Sequence, residues 1–347
     1  MTDQPIRLTF RGGGWVLVMT GIVLIAIVSW AVAPAIFRLS NMPPGDNQTI
    51  ESYAFDLSNL QIDRELVVPS MRHRNMSPVV TNPTILTPED IAQRNNSKRD
   101  PLVVSKDLVV GVEIRGQSRA YPLHFLHVHE IVNDTLGEIP IAIVWHWPSG
   151  HLAVFEREQD AYFANSGITA NGGMLFYALQ ETVGSEQLYA SMLEQSVTGT
   201  HDELTSVPHD VVSWKQWISE HPNTTALGPD MQLKKRYRKA SPELYFRTEK
   251  IYFPTSPMPS SEINPKTPVI VVHVGGIDKV YSIPALLDAA GNDGQYYDQE
   301  NMLTFKVQEN PLSASVRTTL DKQVDSTRAL WFAWFANHPE STLVSLP

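Results

Sequence analysis

From Gly12 to Phe37 the chain carries no charged residue, and Trp15-Val-Leu-Val-Met-Thr-Gly-Ile-Val-Leu-Ile-Ala-Ile-Val-Ser-Trp30 is almost wholly apolar. About 20 apolar residues suffice for a helix to cross a bilayer, and a helix satisfies all its own backbone groups there. The run predicts a transmembrane helix over 12–37. Trp15 and Trp30 stand near its ends, where indole rings favour the membrane interface, and Gly21 lies between them. Arg7 and Arg11 precede the run, and Arg38 alone follows closely. The positive-inside rule then places residues 1–11 in the cytoplasm and the bulk of the chain in the periplasm. This describes a single-pass protein of a bacterial inner membrane. Ala31-Val32-Ala33 resembles a signal-peptide cleavage site, but the apolar run exceeds the usual core of about 7–15 residues. Pro34 would also obstruct cleavage after Ala33, so a retained anchor is expected. Gly14, Gly21 and Ala35 offer small surfaces to a partner helix.

Residues 38–53, with Asn41-Met-Pro-Pro-Gly-Asp-Asn47, read as a turn-rich linker. Beyond them the chain is long enough for a large core or more than one domain. Its hydrophobic share of 42% against 18% charged fits a folded body. The 25 prolines and 19 glycines point to many turns and a β-rich α+β architecture. A net charge of −10 argues against a nucleic-acid partner, because phosphate binding needs clustered Lys and Arg. The chain has no cysteine, which excludes disulfides, thiolate metal sites and thiol nucleophiles.

Two patterns recur in the same order. Val110-Gly-Val-Glu-Ile-Arg-Gly-Gln-Ser-Arg-Ala-Tyr-Pro122 resembles Ile270-Val-Val-His-Val-Gly-Gly-Ile-Asp-Lys-Val-Tyr-Ser282, and each reads as a β-hairpin ending in tyrosine. Trp214-Lys-Gln-Trp217 before His221-Pro222 matches Trp331-Phe-Ala-Trp334 before His338-Pro339. Tryptophans three apart share a helix face, and the proline ends each short helix. An internal duplication follows, with a charged and proline-rich boundary near 230–265. The expected body is therefore two related hairpin-and-short-helix halves, 54–230 and 231–347. The tryptophans read as core aromatics.

Within the first half, strand-like runs 141–145 and 152–155 flank Trp147-Pro148-Ser149-Gly150, a tight-turn sequence. Phe55-Asp-Leu-Ser-Asn-Leu60, Val110-Gly-Val-Glu-Ile114, Ala120-Tyr-Pro-Leu123, His129-Glu-Ile-Val-Asn-Asp134 and Val154-Phe-Glu-Arg157 accompany it. Together with the Trp214–Pro222 segment, these stretches resemble the bacterial domain family DUF3179 over residues 55–230. The resemblance implies a Cys-Pro-x-Cys-Gly turn before the strand ending in Phe-Asp/Glu-Arg. Aligned on Gly150 and Arg157, the two cysteine positions hold His146 and Ser149, so the motif is degenerate here. Tyr177-Ala-Leu179 departs from the family's Tyr-Asp-Arg in the same way. A serine hydroxyl titrates far too high to replace a thiolate. The resemblance thus implies the fold, while the thiol chemistry is lost.

Five of the eleven histidines (His124, His127, His129, His146 and His151) fall close together, with Glu130 and Asp134 nearby. Imidazole and carboxylate can bind zinc, copper or iron without sulfur, so His127, His129, Glu130 and His146 are the candidate ligands for one transition metal ion. A helix over 123–132 would separate His127 from His129 around its axis. Hydrogen-bonded core histidines are the competing expectation, with no cofactor. Ser149 lacks the strand–turn–helix setting of a hydrolase elbow, and Asn165–Gly173 matches no phosphate-binding loop. Three functions follow. The first is a non-catalytic accessory or scaffold subunit of a larger inner-membrane complex, for example a respiratory or photosynthetic electron-transfer assembly, with its other subunits and the lipid bilayer as partners. The second is a periplasmic metal-binding or redox-related enzyme using the histidines. The third is a ligand or peptide module with Trp145 and Trp147 as walls.

Overall fold

The apolar run forms helix α1 (Gly14–Ser40) in the computed structural model, which describes residues 14–40, 42–97, 101–179, 183–239, 241–260 and 263–347. Residues 1–11, read as cytoplasmic, lie outside the described residues. Among those described, α1 is the one helix long and apolar enough to cross a membrane. It runs through Pro34 and past the expected end at Phe37. Every residue from Trp15 to Pro34 is exposed. Trp15 and Trp30 keep 47% and 80% of their surface, and apart from the helix's own backbone and its chain neighbours no described atom lies within 4 Å of a Cβ added at Gly21. A helix of this length and composition can satisfy its own backbone groups within a bilayer.

The linker is shorter than its composition suggests, because the body starts at Gly45. Asp46 accepts hydrogen bonds from the Gln48 and Thr49 N–H groups at 2.8 and 2.9 Å, and Tyr53 is fully buried.

Both halves of the body follow one plan. In the first, hairpin β1 (Leu108–Ile114) and β2 (Gln117–Pro122) leads into α2 (Leu123–His129). A meander follows: β3 (Ile131–Leu136), β4 (Ile139–His146) and β5 (His151–Glu156). After a long excursion come β6 (His209–Ser213) and α3 (Trp214–Glu220). In the second half, hairpin β7 (Pro268–Val274) and β8 (Ile277–Ser282) leads into α4 (Ile283–Ala289). Its meander is β9 (Gln295–Asp298), β10 (Leu303–Glu309) and β11 (Leu312–Thr318), before β12 (Ser326–Leu330) and α5 (Trp331–Asn337).

The halves do not fold as the separate domains 54–230 and 231–347. One sheet runs β9-β10-β11-β6-β1-β2 and gains two short edge strands, Thr225–Leu227 and Ile85–Leu86. The other runs β3-β4-β5-β12-β7-β8. Each hairpin with its pre-helix strand is thus completed by the meander of the other half. The junctions are Val211 opposite Ala314 and Arg328 opposite Leu152. Exchange of this kind covers the sheet edge that either hairpin unit would otherwise expose.

The repeated residues do the same work twice. Trp217 and Trp334 are buried, and their Nε1–H groups donate to Thr224 and Ser341 hydroxyls at 2.9 and 3.1 Å. His221 and His338 pack on those indoles at 3.9 and 4.0 Å. Tyr121 donates to Asp134 at 2.8 Å, as Tyr281 donates to Asp298 at 2.6 Å.

A third sheet of five strands covers one face of the second. Its members are Val67–Pro69, Phe163–Ala170, Gly173–Ala178, Leu188–Ala190 and Gln195–Ser196. Ala142, Val144, Ala153 and Phe155 meet Phe163, Met174 and Phe176 across this interface. Strand alternation puts His146 and His151 on the same face, at the end of the β4–β5 ladder where they are cross-strand partners.

Candidate functional site

Trp147-Pro148-Ser149-Gly150 joins β4 to β5 as expected, closed by the Gly150 N–H donating to Trp147 O at 3.1 Å. Gly150 has φ +61°, and a Cβ there would lie 2.8 Å from Leu330. Glycine is therefore required by both backbone and space. Ser149 O accepts from the Leu330 N–H at 2.7 Å, tying the turn to β12 of the other half. The Ser149 hydroxyl donates to His146 O at 3.1 Å and accepts from the His151 N–H at 3.3 Å. Its single hydrogen being used, the His146 Nδ1–H is the donor to Ser149 Oγ at 2.8 Å.

Residues 245–253 seal this turn. The Tyr245 hydroxyl donates to Pro148 O at 2.8 Å. The Trp147 ring meets Tyr245 and Tyr252 edge-on, with centroids 5.4 and 5.8 Å away, and Phe253 stacks along His146 at 6.3 Å. Ser149 and His151 have no exposed surface, and His146 keeps 4%. Burial pushes His146 and His151 down to about 3, so both are neutral at physiological pH. The serine hydroxyl is buried and fully engaged in hydrogen bonds with His146 and the His151 N–H.

Helix α2 ends at His129, short of the expected 132, because Glu130 takes φ +58° and ψ −35°. The four candidate metal ligands then go separate ways. His127 Nδ1 accepts from the Trp145 Nε1–H at 3.0 Å, and burial lowers its pKa to about 4. His129 Nδ1–H donates to Pro78 O at 2.6 Å, so Nε2 accepts from the Tyr237 hydroxyl at 2.7 Å. Glu130 accepts from Asn165 Nδ2 at 2.6 Å, and burial pushes its carboxyl up to about 7. His146 is held by Ser149. Among the described residues, no group of three or more His, Asp or Glu is arranged to hold a metal ion. The proposed ligand set does not fit one: adjacent helical and strand positions aim these side chains at different walls. The Trp145–Trp147 cleft fares similarly, since Trp145 is buried on His127 and Trp147 is packed under Tyr245 and Tyr252.

The structure assembles a different histidine group. His146, His209, His273 and His338 all lie close enough to His151 to oppose its protonation. Neither ring nitrogen of His151 has a protein hydrogen-bond partner, nor does Nε2 of His209 or of His273. His338 Nε2 donates to Met192 O at 2.8 Å. Three of these residues come from segments far apart in the chain, so only the repeated His-Pro at 338 gave any hint in the sequence.

A closed turn inside a strand-exchanged, β-rich α+β body, preceded by one helix long and apolar enough to cross a membrane, defines the class of this chain. The chain matches the model of a family described as a protein of unknown function, DUF3179, over residues 78–310, and it belongs to that family. The match runs past residue 230 into the second half and ends before β11. Neither a curated protein nor a solved structure matches it.

Proposed function

We propose that this chain is a non-catalytic, membrane-anchored accessory subunit that braces a larger inner-membrane complex, of which an electron-transfer assembly is one example, from the periplasmic side. The single observation that carries this reading is the closed turn. At the positions where the family resemblance implies two thiols, His146 and Ser149 bond each other beneath Tyr245, Tyr252 and Phe253. A fold retained without the thiols that the resemblance implies contributes through its surfaces, and the apolar face of α1 is one of them. The test is complementation of a deletion strain with His146→Gln/Ser149→Ala. Normal assembly of the membrane complexes supports the reading, and loss of a chemical activity with the protein still folded and membrane-bound contradicts it.

A second reading, a periplasmic enzyme, draws on Glu130: a strained backbone and a buried carboxyl that titrates near neutrality beside His129. It predicts an activity whose pH profile has a midpoint near 7 and which is lost in Glu130→Gln. Folded Glu130→Gln protein that supports the phenotype of the wild type at every pH would end it.

A further inference from the structure

The acidic chain contains one strongly basic stretch, Lys234-Lys-Arg-Tyr-Arg-Lys239, in the segment that connects the two halves. That stretch borders a cavity of about 220 Å³. Its walls are apolar where Leu102, Phe125, Pro229 and Met231 face inward, and cationic where Arg94, Lys234 and Arg238 reach it. Among the described residues lining it, none is Asp or Glu. Arg94 Nη2 donates to the Met231 thioether at 3.5 Å, and among the described residues it pairs with no carboxylate. A thioether is a poor acceptor for a guanidinium, which is built for the paired oxygens of carboxylate or phosphate.

The cavity also continues. Arg94, Pro229 and Met231 line both it and a neighbouring groove of about 580 Å³ that carries Val79, Val80 and Leu227 together with the polar Asn82, His129 and Asp230. An anionic head on Arg94, kept away from Asp230, could therefore lay its apolar body against Leu102, Phe125 and Met231, with the Val79, Val80 and Leu227 side of the groove beyond. Concave, mostly apolar pockets with a few convergent charges are how proteins hold small amphiphiles.

We propose that this cavity binds an amphiphilic organic anion, with its carboxylate or phosphate head on Arg94, Lys234 and Arg238 and its apolar part against Leu102, Phe125 and Met231. Two sources carry that chemistry: an acidic lipid of the membrane, or a free small carboxylate or phosphate ester. The site is independent of the sealed turn and of the accessory-subunit reading.

The test uses the full chain in phosphatidylcholine nanodiscs. Hexanoate and phenyl phosphate are titrated calorimetrically, with hexanol as the neutral control. In a second arm, hydrogen exchange of peptides covering Arg94 and residues 229–238 is compared in discs with and without phosphatidylglycerol. The expected result is saturable binding of at least one anion, or protection by phosphatidylglycerol, weakened at least about tenfold in Arg94→Gln/Lys234→Gln. Arg247→Gln, on an exposed turn outside the cavity, should leave it unchanged, and thermal unfolding of the variants checks that they fold. Binding of the free anions assigns a soluble ligand; protection by the acidic lipid alone assigns the bilayer. The proposal is overturned if hexanol binds as well as hexanoate and the lipid has no effect, or if the double variant binds and is protected like the wild type.

Discussion

The two halves of the body place equivalent residues on equivalent elements, yet only the first carries histidines on the helix that follows its hairpin. Tyr121 with Asp134 and Tyr281 with Asp298 make the same bond. Trp217 with Thr224 and His221 is matched by Trp334 with Ser341 and His338. Helix α2, by contrast, holds His124, His127 and His129 and ends on strained Glu130. Position for position, α4 holds Pro284, Leu287 and Ala289 and ends on extended Ala290. The meander turns differ too: Trp147–Gly150 in one, Asn310-Pro311 in the other. What the halves share is explained by the fold they must both build. What only the first half has needs another reason, and the closed turn gives a packing reason for part of it.

The largest expected effect tests the shared part. Trp217→Ala and Trp334→Ala should each destabilise by about 3–5 kcal/mol in urea unfolding, because each empties a buried indole site. Costs differing by more than about 2 kcal/mol would break the equivalence of the halves. Next comes a deliberate exchange between them. Gly111 occupies the position of Val271, and a Cβ there would lie 2.3 Å from the Trp217 ring. Gly111→Val should therefore cost about 2–3 kcal/mol through overpacking, even though it copies the second half. An unaffected midpoint would show that Trp217 can shift as freely as its counterpart has.

Smaller effects separate the hydrogen bonds. Tyr121→Phe and Tyr281→Phe should each cost about 2 kcal/mol, the range for a buried bond to a carboxylate. Arg119 still holds Asp134 at 2.6 Å, and Asn301 still holds Asp298 at 2.8 Å, so neither acid is left unpaired. A much larger loss in one half would point to an additional role for that acid.

The smallest expected change concerns His151. Removing two unpartnered buried nitrogens with His151→Leu should alter stability by no more than about 1 kcal/mol at pH 8. Its effect is in acid. Folded His151 titrates at about 3, against 6.5 when unexposed to the fold. Between those values the unfolded chain binds a proton that the folded chain refuses, so stability falls as pH drops from about 6.5 towards 3. The slope is at most about 1.4 kcal/mol per pH unit for each such histidine. His151→Leu should make that decline shallower. Glu130 acts in the opposite sense: raised from 4.5 to about 7, it favours the fold at low pH, and this is lost as pH rises through 7. A strong destabilisation at pH 8 in His151→Leu would instead assign that ring a ligand or partner.

Local patterns made much of this legible. The uncharged run predicted α1, strand alternation with Gly-containing turns predicted both hairpins, and the paired tryptophans predicted α3 and α5. Trp-Pro-Ser-Gly predicted the β4–β5 turn. The sequence concealed what depends on distant segments. Exchange of the meanders is fixed by single junctions, Val211 with Ala314 and Arg328 with Leu152, which leave no periodic trace. Sealing of the turn depends on Tyr245, Tyr252 and Phe253, from a stretch that reads as irregular boundary. Proximity along the chain also misled: His127, His129 and His146 are neighbours in sequence but face different walls, whereas His209 and His273 come to His151 from far away.

The most direct test is native purification of the chain from membranes in mild detergent, with mass spectrometry of every co-migrating protein and pigment. The account predicts stable, stoichiometric co-purification with the subunits of one inner-membrane complex. A solitary 38.8 kDa chain that runs as a free monomer would contradict it.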